Sequence, residues 1–147
     1  MRLWIDTEFN EFRGALISMA LVAEDGQEWY AALECPNPGS WVAEHVMPLV
    51  GIAPVSRLVF CVSLRQFLKR FATVHIVADW PEDIEHFCEK LIMGPGMRSD
   101  TPPLTMEIRR DLDGVLSALP HNALEDARAI RASHLALESA QRRNGEP

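Results

Sequence analysis

Acidic side chains and one histidine occur along this sequence in an order that could support hydrolytic chemistry. Asp6 and Glu8 follow a short apolar segment, aspartates follow a second such segment near position 80, and His121 precedes Asp126 by five residues. Carboxylate oxygens are the ligands that hard divalent cations prefer. A histidine nearby can take a proton from water. Together they indicate metal-assisted hydrolysis of a phosphodiester, with two cations in one carboxylate cluster.

The first acidic pair lies in a segment that we expect to be extended. Asp6 and Glu8 are two residues apart, so their side chains point to the same face and repel each other unless a cation lies between them. An isolated pair with this spacing is usually a solvated strand end, but the segment before it, Leu3 to Ile5, is too apolar for a surface edge. Phe9 follows the pair and could stack on a base.

The third acidic position has two candidates. Asp79 ends the second apolar segment, and Asp83 lies in the first turn of the helix expected after it. At about 100° per residue, Asp83 is roughly 40° round that helix from Phe87 and borders the face packed on the sheet. Either aspartate alone could simply complement the helix dipole. The helical phase favours Asp83 as the metal ligand, and Asp79 stays the alternative, otherwise placed beside the substrate.

The C-terminal candidates are His121 and Asp126. His121 lies just before Asn122, which with Glu125 three residues on resembles a helix N-cap. Asp126 would then be held rigidly one turn into a long helix, while His121 could approach an attacking water. Taken alone, the two would be a surface histidine and an ordinary helical acid. The other histidines are not accompanied by acidic residues in a comparable pattern, and they are expected to be structural or exposed: His45, His75, His86 and His134.

The elements that must position these residues follow an α/β pattern. Five segments are predicted to be strands: Arg2 to Ile5, Ala15 to Ala23, Gln27 to Leu33, Val74 to Ala78 and Leu104 to Ile108. The first three form an antiparallel meander, because Asp25-Gly26 is a strong hairpin signal. Strand-helix units follow, so we expect a mixed five-stranded sheet flanked by helices. In such sheets, sites form beyond the carboxyl ends of strands, where Asp6 and Asp79 fall.

Five helices are predicted beside the sheet. They are Trp41 to Val50 capped by Ser40, Leu64 to Phe71 capped by Ser63, a helix after Pro81, Asp111 to Leu119, and a long one from Asn122 to about Gln141. The helix after Pro81 should bury an apolar face: Ile84, Phe87, Cys88, Leu91 and Ile92. Residues 97–103 are expected to form a mobile loop after the Gly94-Pro95-Gly96 break.

Length and composition limit the alternatives. The 147 residues are the size of one domain, 1–147, and 48% of them are hydrophobic. A net charge of −7 excludes a broad basic surface that coats nucleic acid, although bound cations would reverse the field of a carboxylate cluster. Cys35, Cys61 and Cys88 lack zinc-type spacing and are expected to be free thiols in a reducing cytoplasm. No signal peptide or membrane-spanning apolar run is expected.

The three motifs, in this order, resemble the DEDDh branch of the 3′-5′ exonuclease superfamily, which has a ribonuclease-H-like fold. Asp6-Thr7-Glu8 is similar to that family's first motif, Asp83 with Phe87 to the second, and His121 with Asp126 to the third. The resemblance implies that four carboxylates hold two Mg²⁺ or Mn²⁺ ions: Asp6, Glu8, Asp83 and Asp126. It implies His121 as the general base. The residues expected to contact the substrate are Thr7, Phe9 and Asp79.

A more specific resemblance is to the mycobacterial RNase AS type of exoribonuclease. It rests on six segments: Asp6 to Phe9, Leu16 to Ser18, Val22 to Gly26, Tyr30-Ala31, Gly39 to Val42 and His45-Val46. That group acts on RNA from the 3′ end and favours adenylate, which implies single-stranded RNA as substrate, nucleoside 5′-monophosphates as products and a homodimer as one assembly. The alternatives left open are a DNA-directed exonuclease or an endonuclease of the same fold, and a non-catalytic module that binds nucleic acid or protein.

Overall fold

A five-stranded mixed sheet forms the centre of the computed structural model, which describes residues 1–112 and 116–145. The described residues form seven strands: β1 Arg2–Phe9, β2 Leu16–Ala23, β3 Glu28–Ala32, β4 Val74–Ala78, β5 Ile92–Gly94, β6 Met97–Arg98 and β7 Leu104–Ile108. The sheet order is β3-β2-β1-β4-β7, with β1, β2 and β3 antiparallel and β1, β4 and β7 parallel. The predicted α/β class is confirmed, and the arrangement is a ribonuclease-H-like fold.

Strand β1 is longer than its sequence predicted. It runs to Phe9 instead of ending at Asp6, because β2 pairs with it throughout, from Leu3 opposite Ala23 to Phe9 opposite Leu16. On its other side, β4 pairs with β1 only as far as Trp4. The second half of β1 therefore has a free edge beside the end of β4, and this edge carries the acidic pair.

The sheet is covered on both faces, and β1 shows which side chains face which layer. Leu3 and Ile5 are fully buried in a cluster with Phe60, Leu64 and Phe87 from helices α2 Arg57–Leu68 and α3 Pro81–Leu91. Trp4 is fully buried in a separate cluster with Ile130 of helix α4 Ala123–Gly145. Because side chains alternate along a strand, Asp6 and Glu8 share the α4 face with Trp4.

The first two helices differ from their predicted bounds. Helix α1 is Ser40–His45, with Gly39 as N-cap instead of Ser40, and a 3-10 helix, Met47–Leu49, follows it. The α-helix ends there because Pro48 has no N–H to donate to the preceding turn.

Helix α2 begins seven residues before its predicted start at Leu64. Ser56 caps it by accepting a 3.3 Å bond from the Val59 N–H. Ser63, the predicted cap, lies inside the helix and donates to the Phe60 carbonyl at 3.0 Å. The first turn carries exposed Leu58 and Val59, which broke the amphipathic pattern on which the prediction relied.

Helix α3 buries a more polar face than predicted. Its buried residues are Asp83, His86, Phe87 and Lys90. Ile84 and Leu91 pack against the core at its margin, whereas Ile92 is 59% exposed. The segment after the helix is not entirely a loop, because β5 and β6 pair as a small hairpin.

The long helix α4 starts where the sequence predicted. The Asn122 side-chain oxygen accepts the N–H groups of Leu124 and Glu125, each at 3.1 Å, so the N-cap is confirmed. The helix continues past Gln141 to Gly145. Of the helix predicted over Asp111 to Leu119, residues 113–115 lie outside the described part of the chain, and residues 111, 112 and 117–119 are not helical. No described helix has both the length and the apolar character needed to cross a bilayer.

Candidate active site

Two groups of carboxylates meet at the free edge of β1. Ligand oxygens of Asp6, Glu8 and Asp126 lie within 4.8 Å of one another, and so do those of Asp6, Asp79 and Asp83. Asp6 belongs to both groups. The fold brings them together because β1 supplies Asp6 and Glu8, the end of β4 supplies Asp79, and the first turns of α3 and α4 supply the rest. The structure thus places both Asp79 and Asp83 in the cluster, where the sequence had set them as alternatives.

On the side of the cluster that faces α4, three partly buried carboxylates lie close together: Asp6, Glu8 and Asp126. Burial, followed by the charges of Asp83 and Glu8, raises the pKa of Asp6 well above its ordinary range. Burial, followed by the charge of Asp126, raises the pKa of Glu8 to about 8. Burial also raises the pKa of Asp126. Ionising all three carboxylates together is therefore unfavourable without a compensating cation.

The α3 side combines burial with one strong hydrogen bond. Asp83 is only 3% exposed, and burial raises its pKa to about 7. The Thr7 hydroxyl donates to Asp83 Oδ1 at 2.6 Å, which works in the opposite direction by stabilising the carboxylate. Thr7 alternates with Asp6 along β1 and so faces α3 instead of α4. Asp79 is partly buried, and burial raises its pKa too.

His121 lies at the rim of the cluster. Its backbone N–H donates to Asp126 Oδ2 at 3.0 Å, and its φ of 67° is in the left-handed region that few non-glycine residues adopt. Its exposed imidazole meets the Trp41 ring edge-on, with 5.1 Å between ring centroids. The imidazole thus sits beside the carboxylates without belonging to either ligand group.

One cavity of about 1090 Å³ opens over the cluster. All eight residues proposed from the sequence line it: Asp6, Thr7, Glu8, Phe9, Asp79, Asp83, His121 and Asp126. Aromatic side chains complete the wall, including Phe12, Trp41 and Trp80. The Phe9 ring packs on the buried His86, with 5.0 Å between centroids and 35° between planes.

Sequence reasoning missed several residues of this site. Trp41 was not singled out as a site residue, yet it lines the cavity, is 53% exposed and its ring stacks on His45. Trp80 was not singled out, although an aromatic residue directly after Asp79 is a signal of the same kind as Phe9 after Glu8. Arg110, whose guanidinium covers Trp80, carried no recognisable pattern because it comes from another strand end.

Comparison with known proteins decides the family. No protein-family model matches the chain. Two similar proteins are named 3′-5′ exoribonucleases, from Mycobacterium tuberculosis strains CDC 1551 / Oshkosh and ATCC 25618 / H37Rv. Each is 34% identical to the chain over 148 residues, which is 87% of this chain and 88% of the relative. The chain belongs to this 3′-5′ exoribonuclease family. The resemblance to a mycobacterial exoribonuclease, inferred from the sequence, is confirmed.

The carboxylates of this family member fit divalent cations. Three of their oxygens are buried and have no hydrogen-bond partner within the described residues: Asp6 Oδ2, Asp79 Oδ1 and Asp126 Oδ1. Buried carboxylate oxygens without donors are costly, and a hard cation supplies the missing partner. Asp6 also belongs to both ligand groups, as a residue shared between two cations would.

Proposed function

We propose that the protein is a two-metal DEDDh enzyme that hydrolyses single-stranded RNA from its 3′ end and releases nucleoside 5′-monophosphates. The observation that supports this most is the position of Asp6, whose oxygens lie within 4.8 Å of two separate carboxylate pairs. The names of the two mycobacterial relatives support the polarity and the RNA substrate.

Four acids that the sequence singled out are proposed as metal ligands, and Asp79 is added to them as a fifth. Asp6, Glu8 and Asp126 would hold one Mg²⁺ or Mn²⁺ ion, and Asp6 with Asp83 the second. Asp79 lies close enough to be a ligand of that second ion as well. When bound, two such cations stabilise both the attacking and the leaving oxygen of the phosphodiester.

His121 is proposed as the general base. His121 lines the cavity, and the hydrogen bond from its backbone N–H to Asp126 holds its backbone beside the carboxylates. A water proton moves to a ring nitrogen of His121, the water oxygen attacks phosphorus, and the bond from phosphorus to the upstream 3′-oxygen breaks. That 3′-oxygen then takes a proton from solvent. General-base catalysis of this kind contributes roughly 10²–10⁴-fold in rate.

Phe9 and Thr7 have separate proposed roles. Phe9 lines the cavity with its ring supported by His86, so it can stack on the terminal base, worth roughly 1–3 kcal/mol in comparable sites. The Thr7 hydroxyl already donates to Asp83, so Thr7 acts by orienting that ligand and not by direct substrate contact.

End-labelled oligonucleotides test the activity. RNA and DNA of the same sequence are incubated with the protein in Mn²⁺ or in EDTA, and the products are resolved on a gel. We expect a ladder that shortens 5′-labelled RNA stepwise, needs Mn²⁺ and is lost in Asp6→Ala. Asp100→Ala, which removes an exposed carboxylate that pairs with Lys69, is the matched control and should keep full activity. Cleavage of circular RNA would instead identify an endonuclease, and a DNA-only ladder the DNA-directed alternative.

We also propose that the protein forms a homodimer, as the family resemblance implies. Apolar side chains are exposed just before α2 and in its first turn: Ile52, Leu58 and Val59. Covering such side chains on association would be favourable. Light scattering coupled to size exclusion should give twice the 16.5 kDa chain mass if the proposal is right.

A further inference from the structure

An exposed tryptophan and an arginine form a fixed pair next to the carboxylate cluster. Trp80 lines the cavity and is 53% exposed. The Arg110 guanidinium lies over its ring, 3.1 Å from the centroid. Arg110 also donates from Nη1 to the backbone carbonyl of Asp79. Two independent contacts therefore hold this cation beside a candidate metal ligand.

The backbone around Trp80 leaves the ring little freedom. Trp80 is the N-cap of α3, with φ −124° and ψ 148°, and Pro81 follows it. A residue before proline is confined to such extended conformations, so the backbone fixes the direction of the Cα–Cβ bond, and the contact with Arg110 then holds the ring. One face of the indole is covered by Arg110, and half of the side chain still faces solvent. A rigid aromatic surface of this kind costs little entropy when a flat ligand stacks on it.

The charge around the cavity gives Arg110 a specific importance. Seven carboxylate residues line the cavity: Asp6, Glu8, Glu11, Asp79, Glu82, Asp83 and Asp126. Among the described lining residues there is no lysine or arginine. Cations bound in the cluster would serve the phosphate that reacts, but the neighbouring phosphates of a polyanion need their own positive partner. Arg110 offers a guanidinium at the edge of this cavity.

The sheet order places this pair away from the other aromatic wall. Arg110 follows β7, at one edge of the sheet, whereas Trp41 in α1 follows β3 at the other edge. The carboxylate cluster, carried by the central strand β1, lies between the two. A nucleic acid strand whose terminal nucleotide lies beside Trp41 and His121, and which crosses the cluster, continues towards Trp80.

We propose that Trp80 and Arg110 form a subsite for the nucleotide on the 5′ side of the scissile bond, a role that rests on the proposed exonuclease activity. The base of that nucleotide stacks on Trp80, and Arg110 pairs with the phosphate on its 5′ side. Guanidinium groups suit this task because they bind phosphate through two N–H groups and stack on aromatic rings at the same time. The subsite makes the enzyme prefer chains with at least one phosphate beyond the scissile one.

Three small substrates separate the contacts. A p-nitrophenyl ester of a nucleoside 5′-monophosphate has no upstream nucleotide, the dinucleotide ApA has the upstream base, and 5′-phosphorylated pApA adds the phosphate. For each, kcat and KM are measured in Mn²⁺ with the wild type, Arg110→Gln, Trp80→Ala and Trp80→Phe. Arg98→Gln removes an exposed arginine on β6, beyond the far end of α3, and is the matched control.

The expected pattern is specific to each substrate. The wild type should hydrolyse pApA with a kcat/KM roughly tenfold above that for ApA, as an ionic hydrogen bond allows. Arg110→Gln should abolish that difference through KM while leaving the p-nitrophenyl ester unaffected. Trp80→Ala should slow both dinucleotides, Trp80→Phe should recover most of the loss, and Arg98→Gln should behave as the wild type.

Two outcomes overturn the subsite. If Arg110→Gln slows ApA and pApA equally, Arg110 does not bind the upstream phosphate. If it slows the p-nitrophenyl ester as well, Arg110 acts by positioning Asp79. A wild type that cleaves neither these three substrates nor the end-labelled RNA overturns the proposed function instead. If the three substrates are not cleaved, anisotropy of labelled tetra-adenylate with Asp6→Ala proteins in Mn²⁺ still decides the subsite, since binding unchanged by Arg110→Gln would refute it.

Discussion

At the scale of single residues, the site depends on groups that are buried together although their charges repel. Each raised pKa in the cluster has burial as its largest cause, and the mutual repulsion of the acids comes second for Asp6 and Glu8. A folded chain keeps such an arrangement only if the packed framework determines it. Here Trp4 and Ile130 fix β1 against α4, and the Thr7 hydroxyl fixes Asp83.

The first prediction concerns the base. His121→Ala should reduce kcat by roughly 10²–10⁴-fold because the attacking water loses its proton acceptor. The affinity for Mn²⁺, measured by calorimetry, should change little, because His121 is outside both ligand groups. His45→Ala is the matched control, since His45 contacts the same Trp41 ring from another position. Wild-type turnover in His121→Ala would identify another base.

The second prediction separates two neighbouring aspartates. Asp83→Asn should remove nearly all activity, because the proposed second cation would lose a charged ligand whose carboxylate accepts a hydrogen bond from Thr7. Asp79→Asn should reduce activity less, because the amide oxygen of an asparagine at this strand end can still accept hydrogen bonds. Both variants are compared at saturating Mn²⁺ on one single-stranded RNA. If Asp79→Asn were inactive and Asp83→Asn active, the main ligand would be Asp79 at the end of β4, and not Asp83 one helical turn later.

At the scale of elements, the N-terminus of α4 carries both a structural cap and the site residues proposed from the sequence, His121 and Asp126. Asn122 accepts two backbone N–H groups and donates from Nδ2 to the Leu49 carbonyl at 2.7 Å. It therefore ties the 3-10 helix to the helix that presents Asp126. His121, whose backbone is left-handed, directly precedes this cap.

The third prediction tests that cap. Asn122→Ala should lower the free energy of unfolding by about 1–2 kcal/mol, as loss of an N-cap does. The fall is measured by urea denaturation, and kcat should fall with it because the backbone that holds His121 and Asp126 loosens. Ser40→Ala is the control, since Ser40 is the first residue of α1 and makes no capping bond. A fall of the same size in Ser40→Ala would contradict this assignment of caps.

How well the sequence predicted an element depended on whether one interaction type dominated it. β4 and β7 were predicted with their observed bounds, because their short segments are bounded by clear breaks. The motif residues converged because strand ends and helix starts meet at one edge of the sheet. The start of α2 was missed because Leu58 is exposed, and the polar face of α3 was missed because Lys90 is buried. In both cases tertiary packing, and not amphipathic periodicity, determines the exposure of the side chain. Arg110 could be placed beside Trp80 only from the fold.

At the scale of the whole molecule, we expect the site to make stability depend on pH and on added divalent cations. In the folded protein the pKa of Glu8 is about 8 and that of Asp83 about 7, both above their unfolded values. The folded state therefore binds more protons than the unfolded state, and stability is lost as the pH rises through these values. The lowered pKa values of His86 and His134 act in the opposite direction below pH 6.5, their ordinary pKa. Above pH 6.5 these histidines contribute little, so the change in stability with pH comes mainly from the carboxylates.

The fourth prediction follows from that sign. Without metal, the Tm measured by calorimetry should fall between pH 6.5 and 8.5, since the buried acids must ionise close together. Asp6→Ala should raise the Tm at pH 8.5 and flatten the slope, because it removes the acid that both groups share. Mn²⁺ should stabilise the wild type more at pH 8.5 than at pH 6.5, because cations compete with protons for the same oxygens. A metal-free Tm that stays level or rises over this range, with no gain from Asp6→Ala, would show that the carboxylates do not repel one another in the folded protein.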